Sequence, residues 1–306
     1  MRVFITGGSG FIGSAIINEL IHGGHQVLAL ARSDASAEAL VRAGVEVHRG
    51  DLEDLDSLRE GVRLAEGVIH AGFIHDFSRY TQACEIDRRA IEALGSALGP
   101  EQPLVVTSGA AIAAGTDRPA TEEDVSSRGS SEVPRVATEE ATAALVAQGA
   151  RVSVVRLPPS VHGVGDHGFV PMLISIARDQ GVSAYIGEGD NRWCAVHRLD
   201  AAVAFRLALE RAPSGARLHA VAEPEIPLRK LATMIGARLG LSVVSLDPEQ
   251  AAAHFDWFAR FAQLDMAVSS ELTRERYGWR PTHPSLFADL EGPGYFGGED
   301  PVVRTI

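Results

Sequence analysis

Thr6-Gly7-Gly8-Ser9-Gly10-Phe11-Ile12-Gly13 stands between a short apolar run, Arg2–Thr6, and a longer amphipathic one, Phe11–Ile21. Strand, glycine-rich turn and helix in that order open a crossover unit. Gly7 permits the tight turn, Gly10 lets the backbone approach a diphosphate, and Gly13 lets helix and strand pack closely. The helix start behind them offers unpaired N–H groups to an anion. In this context Thr6, Gly7, Gly10, Phe11, Ile12 and Gly13 read as a dinucleotide cradle rather than as a structural turn alone.

Outward from the cradle, apolar periodicity predicts strands at Gln26–Ala31, Val45–His48, Gly67–Ala71, Leu104–Ser108 and Arg151–Leu157. Helices are predicted between them at Ala35–Ala43, Leu55–Leu64, Tyr80–Leu98 and Ala137–Gln148. Alternation of this kind implies an α/β fold, a Rossmann-type doubly wound parallel sheet covered on both faces. The polar stretch from Gly115 to Pro134 reads as a loop, since the alternation resumes at Val136. Beyond Leu157 the rhythm changes, with helices expected at Pro171–Asp179, Ala201–Glu210 and Leu228–Leu239, and short strands at Ala184–Ile186 and Trp193–Val196. The expected division is a dinucleotide-binding domain over 1–160 and a smaller substrate lobe over 161–306, some of whose elements return to the first domain.

Composition narrows the function classes. The 306 residues are 45% hydrophobic and 22% charged, with a formal charge of −12, which disfavours nucleic acid as a partner. Cys84 and Cys194 stand far apart in no metal-ligand spacing, so neither a disulfide framework nor a metal site is expected. No apolar run has membrane-spanning length and the amino terminus lacks a signal-peptide core, so a cytoplasmic protein without membrane contact is expected. Lys230 is the sole lysine.

The second strand ends at Ala31-Arg32-Ser33, where selection for NAD would place an acid on the ribose 2′-hydroxyl. Arg32 suits a 2′-phosphate instead, so NADP(H) is favoured over NAD(H), with Arg32 and Ser33 against that end of the nucleotide. The alternative leaves Arg32 in solvent and gives the ribose to Asp34, although Asp34 reads better as the cap of the next helix. Asp51 and Leu52 follow the third strand and are assigned to the adenine side; helix capping competes for Asp51. Ala71 and Gly72 end the fourth strand with small side chains, which lets the backbone run beneath a cofactor.

Taken together these residues resemble the extended short-chain dehydrogenase/reductases, the epimerase and dehydratase group. The resemblance adds Val105-Val106-Thr107-Ser108, the run from Arg156 to Gly163 and the run from Ile186 through Trp193 to Ala202. It implies that Leu157, Pro158 and Val161 lie against the nicotinamide, that Arg192 and Trp193 meet substrate, and that pairs of chains join through Tyr80–Leu98 and Ala137–Gln148. The group's usual engine is a tyrosine with a lysine four positions later. Here Arg135 stands at the tyrosine position and Glu139 at the lysine position, so this chain resembles an atypical branch.

Other residues must then carry the chemistry. Those that follow strand ends are Ser108, His75 and His162, with His167 beyond, and Arg135 can stabilise developing negative charge. Each has a structural alternative: His75 caps a helix, His162 braces a loop, Arg135 pairs with Glu139 at helical spacing. Register also leaves open whether Ser108 or Gly109 takes the group's serine position. His22 and His25 read as a helix exit, and Phe255, Trp257, Phe258 and Phe261 as lobe core. The first expectation is an NADPH-dependent reductase of a small organic substrate. Alternatives are a non-catalytic dinucleotide sensor, similar to nitrogen-metabolite repression regulators, and a redox-neutral isomerase or dehydratase.

Overall fold

The computed structural model describes residues 1–114 and 118–297. The predicted loop residues 115–117 and the last residues of the expected lobe, 298–306, lie outside that range. The first half runs β1 (Arg2–Thr6), α1 (Phe11–His22), β2 (Gln26–Ala31), α2 (Asp34–Arg42), β3 (Glu46–Arg49), α3 (Leu55–Arg63), β4 (Gly67–His70), α4 (Tyr80–Ser96), β5 (Leu104–Gly109), α5 (Ala137–Ala147) and β6 (Val152–Leu157). The second half runs β7 (Ser160–His162), α6 (Phe169–Gln180), β8 (Ser183–Ile186), β9 (Arg192–His197), α7 (Arg198–Arg211), β10 (Arg217–His219), β11 (Glu223–Pro227), α8 (Leu228–Leu239) and β12 (Val243–Leu246). Four short helices follow among the described residues, α9 (Pro248–Phe255), α10 (Ala259–Ala262), α11 (Glu271–Tyr277) and α12 (Leu286–Glu291), with a 3₁₀ turn at Asp256–Phe258 between the first two.

Seven parallel strands form the main sheet in the order β10-β6-β5-β4-β1-β2-β3. Alternate residues of β1 serve opposite faces. Val3 and Ile5 pack with Ile16 and Leu20 of α1 and Phe205 of α7, whereas Phe4 packs with Leu58, Val62, Ile91 and Leu94 of α3 and α4. Such two-sided burial requires the near-continuous apolar strands seen in the sequence. The sheet is therefore Rossmann-type, and strand order reverses between β1 and β4, where ligands of open parallel sheets bind.

A second core lies beyond β6. Three strands, β11-β9-β7, and the parallel pair β12-β8 enclose Val170, Ile174, Trp193, Leu231, Phe255 and Phe258. The short β7, β10, β11 and β12 escape periodicity because three to five residues do not establish a period. One capping assignment is corrected: the hydroxyl of Ser33 accepts from Ser36 N–H at 3.2 Å, so Ser33 caps α2. Asp34 is the first helical residue instead and pairs with Arg49.

Candidate active site

β1 delivers the chain into its glycine turn at the switch point. Gly7 has φ +72°, and a Cβ there would stand 2.6 Å from the Ala71 carbonyl oxygen. A Cβ on Gly13 would collide with the Gly7 carbonyl. Gly10 caps α1 with backbone alone, donating to Gly7 O at 3.0 Å, and no acid lies in the first turn. The first N–H groups of α1, at Phe11 and Ile12, thus have no side-chain cap and no carboxylate beside them, which is the arrangement that suits an anion.

At the end of β2 stands Arg32, whose side chain is 66% exposed with Nε 3.8 Å from an oxygen of Asp51. Ser33 already spends its hydroxyl on the cap. Asp51 accepts from Glu53 N–H at 2.9 Å, while Asp54 caps α3, so Asp51 does not cap that helix. Leu52 lies against Gly72, where a Cβ would come 3.2 Å from its side chain. Leu157 and Pro158 are buried at the end of β6, and Val161 is half-buried on the β1–α1 core.

Between the cradle and Arg135 runs a buried polar line. Thr6 accepts from Gly72 N–H at 3.1 Å and donates to Nδ1 of His70 at 2.7 Å. The other imidazole nitrogen, Nε2, donates to Asp87 at 3.1 Å. The second Asp87 oxygen accepts from Arg135 at 2.6 Å and from the Thr138 hydroxyl at 2.5 Å. Arg135 also donates to Thr138 and, at 2.9 Å, to the Thr107 carbonyl at the end of β5. Its guanidinium lies 4.3 Å from the Phe73 ring centroid. Burial pushes the Asp87 carboxyl up, but Arg135, His70 and Thr138 outweigh it and hold the group at about 2. Asp87 is thus a permanent counter-ion for Arg135.

His75 faces the same Phe73 ring at 5.2 Å. Its pKa is lowered, first by burial and then by the charge of Arg135. It caps nothing: Asp76 holds the next turn through Ser78 N–H at 3.1 Å and pairs with Arg79, not with His75. From Phe73 a run of rings leads outward. Tyr80 lies 6.4 Å away, Phe77 stacks on Tyr80 at 5.7 Å, and Trp257 stacks on Phe77 at 5.1 Å. Burial pushes the Tyr80 phenol up to about 12.

The remaining expected residues take other surroundings. Glu139 does not pair with Arg135; both its oxygens receive Arg156, each at 2.7 Å, and Arg156 is fully buried. Ser108 is 2% exposed and its hydroxyl has no hydrogen bond among the described residues, whereas a Cβ at Gly109 would meet none of their atoms within 4 Å. His162 is fully buried and bonds Asp289 of α12 at 2.6 Å, while its Nε2 has no hydrogen bond among the described residues and lies 3.8 Å from Glu223. Arg192 is held by Asp265 at 2.6 and 3.0 Å and by Glu225, and Trp193 is 1% exposed in the lobe core. Of the aromatic cluster, Phe255 and Phe258 are core, but Trp257 is 42% exposed. His22 bonds Asn18 O and His25 bonds Glu210.

Sequence reasoning missed His70, Asp87, Thr138 and Arg198. Asp87 did carry a signal, an acid in step with buried Ala83, Cys84, Ala90, Ile91 and Leu94. Arg198 carried none; its guanidinium lies 4.9 Å from the Phe11 ring, over the start of α1, and donates to Val164 O at 3.1 Å.

The model of the NAD dependent epimerase/dehydratase family matches residues 3–221. An uncharacterized protein of Schizosaccharomyces pombe is 48% identical over 297 residues, covering 97% of this chain and 100% of that one. A 2-alkyl-3-oxoalkanoate reductase of Stenotrophomonas maltophilia is 33% identical over 261 residues, covering 78% of this chain and 76% of its own. The dTDP-glucose 4,6-dehydratase of Streptomyces venezuelae, solved with NAD bound, shares the fold at a TM-score of 0.75 and 19% identity, over 97% of this chain and 99% of that one.

Proposed function

This chain belongs to the NAD dependent epimerase/dehydratase family, and from that premise we propose that it is an NADPH-dependent reductase of a small organic carbonyl, working without a tyrosine–lysine pair. Reductase-named relatives support the reaction class. One observation carries the reading: Arg135 is fixed by Asp87 and Thr107 O at the carboxyl ends of the central strands. A bound reduced nicotinamide would supply hydride. Arg135 would stabilise the negative charge that develops on the substrate's carbonyl oxygen as its carbon is reduced. The oxygen takes its proton from water, with His75 beside Phe73 as the relay. Arg32 supports NADPH over NADH because its exposed guanidinium, just past the end of β2, suits a 2′-phosphate better than a ribose hydroxyl.

The test is NADPH consumption across ketones, imines and enones, repeated with NADH and with Arg32→Ala. Ketone reduction with about tenfold preference for NADPH, lost in Arg32→Ala, is the expected outcome. Tight NADPH binding with inertness to every substrate would instead favour a dinucleotide sensor.

A further inference from the structure

The charge state of the Arg135 site limits what it can accept. Asp87 neutralises Arg135 from behind and is itself almost wholly buried. Of the guanidinium donors, Nε and one Nη2 hydrogen have no acceptor among the described residues, while the rest serve Asp87, Thr138 and Thr107 O. Two donors remain, but no net charge. A substrate carboxylate placed on them would put a second anion against a single cation, desolvated at the same time, which costs more than the pairing returns. A neutral carbonyl meets no such cost and gains most as its oxygen becomes negative.

Arg192 shows the same arrangement, since Asp265 and Glu225 both hold it. Arg260 is exposed and lies over Tyr80 at 5.4 Å and Phe261 at 4.7 Å, at the outer part of the ring run where water screens its charge. From Arg135 to Trp257 the rings of Phe73, Tyr80, Phe77 and Trp257 follow one another in contact.

Building on the reading of Arg135 above, we propose that the Arg135–Asp87 pair selects substrates whose reacting carbonyl is uncharged and carries an aromatic or extended apolar group, and rejects those with a carboxylate next to that carbonyl. The substrate class is thus aryl or apolar ketones and aldehydes, not oxo acids and not sugar phosphates.

A matched pair tests this on the NADP⁺-loaded protein: methyl benzoylformate and benzoylformate, titrated by calorimetry and by quenching of Trp257, the exposed indole. The ester is expected to bind about tenfold or more tighter than the acid. In Asp87→Asn the counter-ion is gone, and the acid should gain about tenfold on the ester. The wild-type comparison decides by itself if that variant does not fold. An acid that binds the wild type as tightly as the ester, or no binding of either, overturns the inference. Turnover of the acid would leave the reductase reading standing and remove this one, whereas ester binding without NADPH consumption would do the reverse.

Discussion

Asp87 is ionised in a place where burial opposes its charge, so its contribution to stability depends on pH with a definite sign. Its folded pKa of about 2 lies below the ordinary carboxylate value. The stabilisation is therefore complete above about pH 4 and is lost as pH falls toward 2. Denaturant midpoints measured from pH 6 to pH 2 should fall over that lower range, and Asp87→Asn, which cannot titrate, should flatten that part of the fall. At neutral pH the same substitution should cost about 3–5 kcal/mol, because Arg135 is left nearly buried without its counter-charge. Arg135 itself makes a second prediction. A lysine offers a point charge where the planar fork now bridges Asp87, Thr138 and Thr107 O, so Arg135→Lys should lower kcat by about 100-fold while NADPH affinity holds. Equal loss of both in steady-state and binding measurements would mean that Arg135 is only a structural brace.

At the scale of elements, the β1–turn–α1 unit and the β2–α2 turn separate packing from ligand binding. Gly13→Ala should abolish NADPH binding, because the new methyl meets the Gly7 carbonyl backbone and neither can retreat. Ser33→Ala should cost about 1 kcal/mol of stability through the lost cap of α2, yet leave NADPH affinity within about twofold, since that hydroxyl is committed to Ser36 N–H. A larger affinity loss would return Ser33 to the nucleotide. These elements were legible in the sequence because strand period, turn glycine and helix period are local signals. The line from Thr6 through His70 and Asp87 to Arg135 was not, since its members stand 17 to 64 residues apart and meet only through the sheet register that pairs Thr6 with His70. The place of Arg135 at the group's tyrosine position could be read; its partner could not, and helical spacing pointed wrongly to Glu139. Glu139 went to Arg156 because a fully buried guanidinium on β6 needs both carboxylate oxygens.

For the molecule as a whole, the order of folding units departs from the order of the chain. β10 closes the sheet beside β6 through Arg217–Val154 and Leu218–Val155, and α7 covers α1, although both are inserted between residues of the second core, Val170 to Trp193 before them and Leu231 to Phe258 after. Trp279 then locks the carboxyl end to α7, donating to Asp200 O at 2.9 Å, while the Asp200 carboxylate takes Thr282 N–H and His283 N–H. A fragment ending at residue 160 would leave the β6 edge unpaired and bare the faces of Ile16, Ile17 and Leu20, which are at most 2% exposed in the full chain. Each such side chain is worth about 1.5–3 kcal/mol of burial, so a few of them equal the whole stability of an ordinary domain. The fragment 1–160 should therefore show no cooperative thermal transition by circular dichroism and no NADPH binding, whereas the full chain should show both. A fragment that melts cooperatively and binds NADPH would mean that the cradle domain stands without α7 and β10, and that the later elements only cover it.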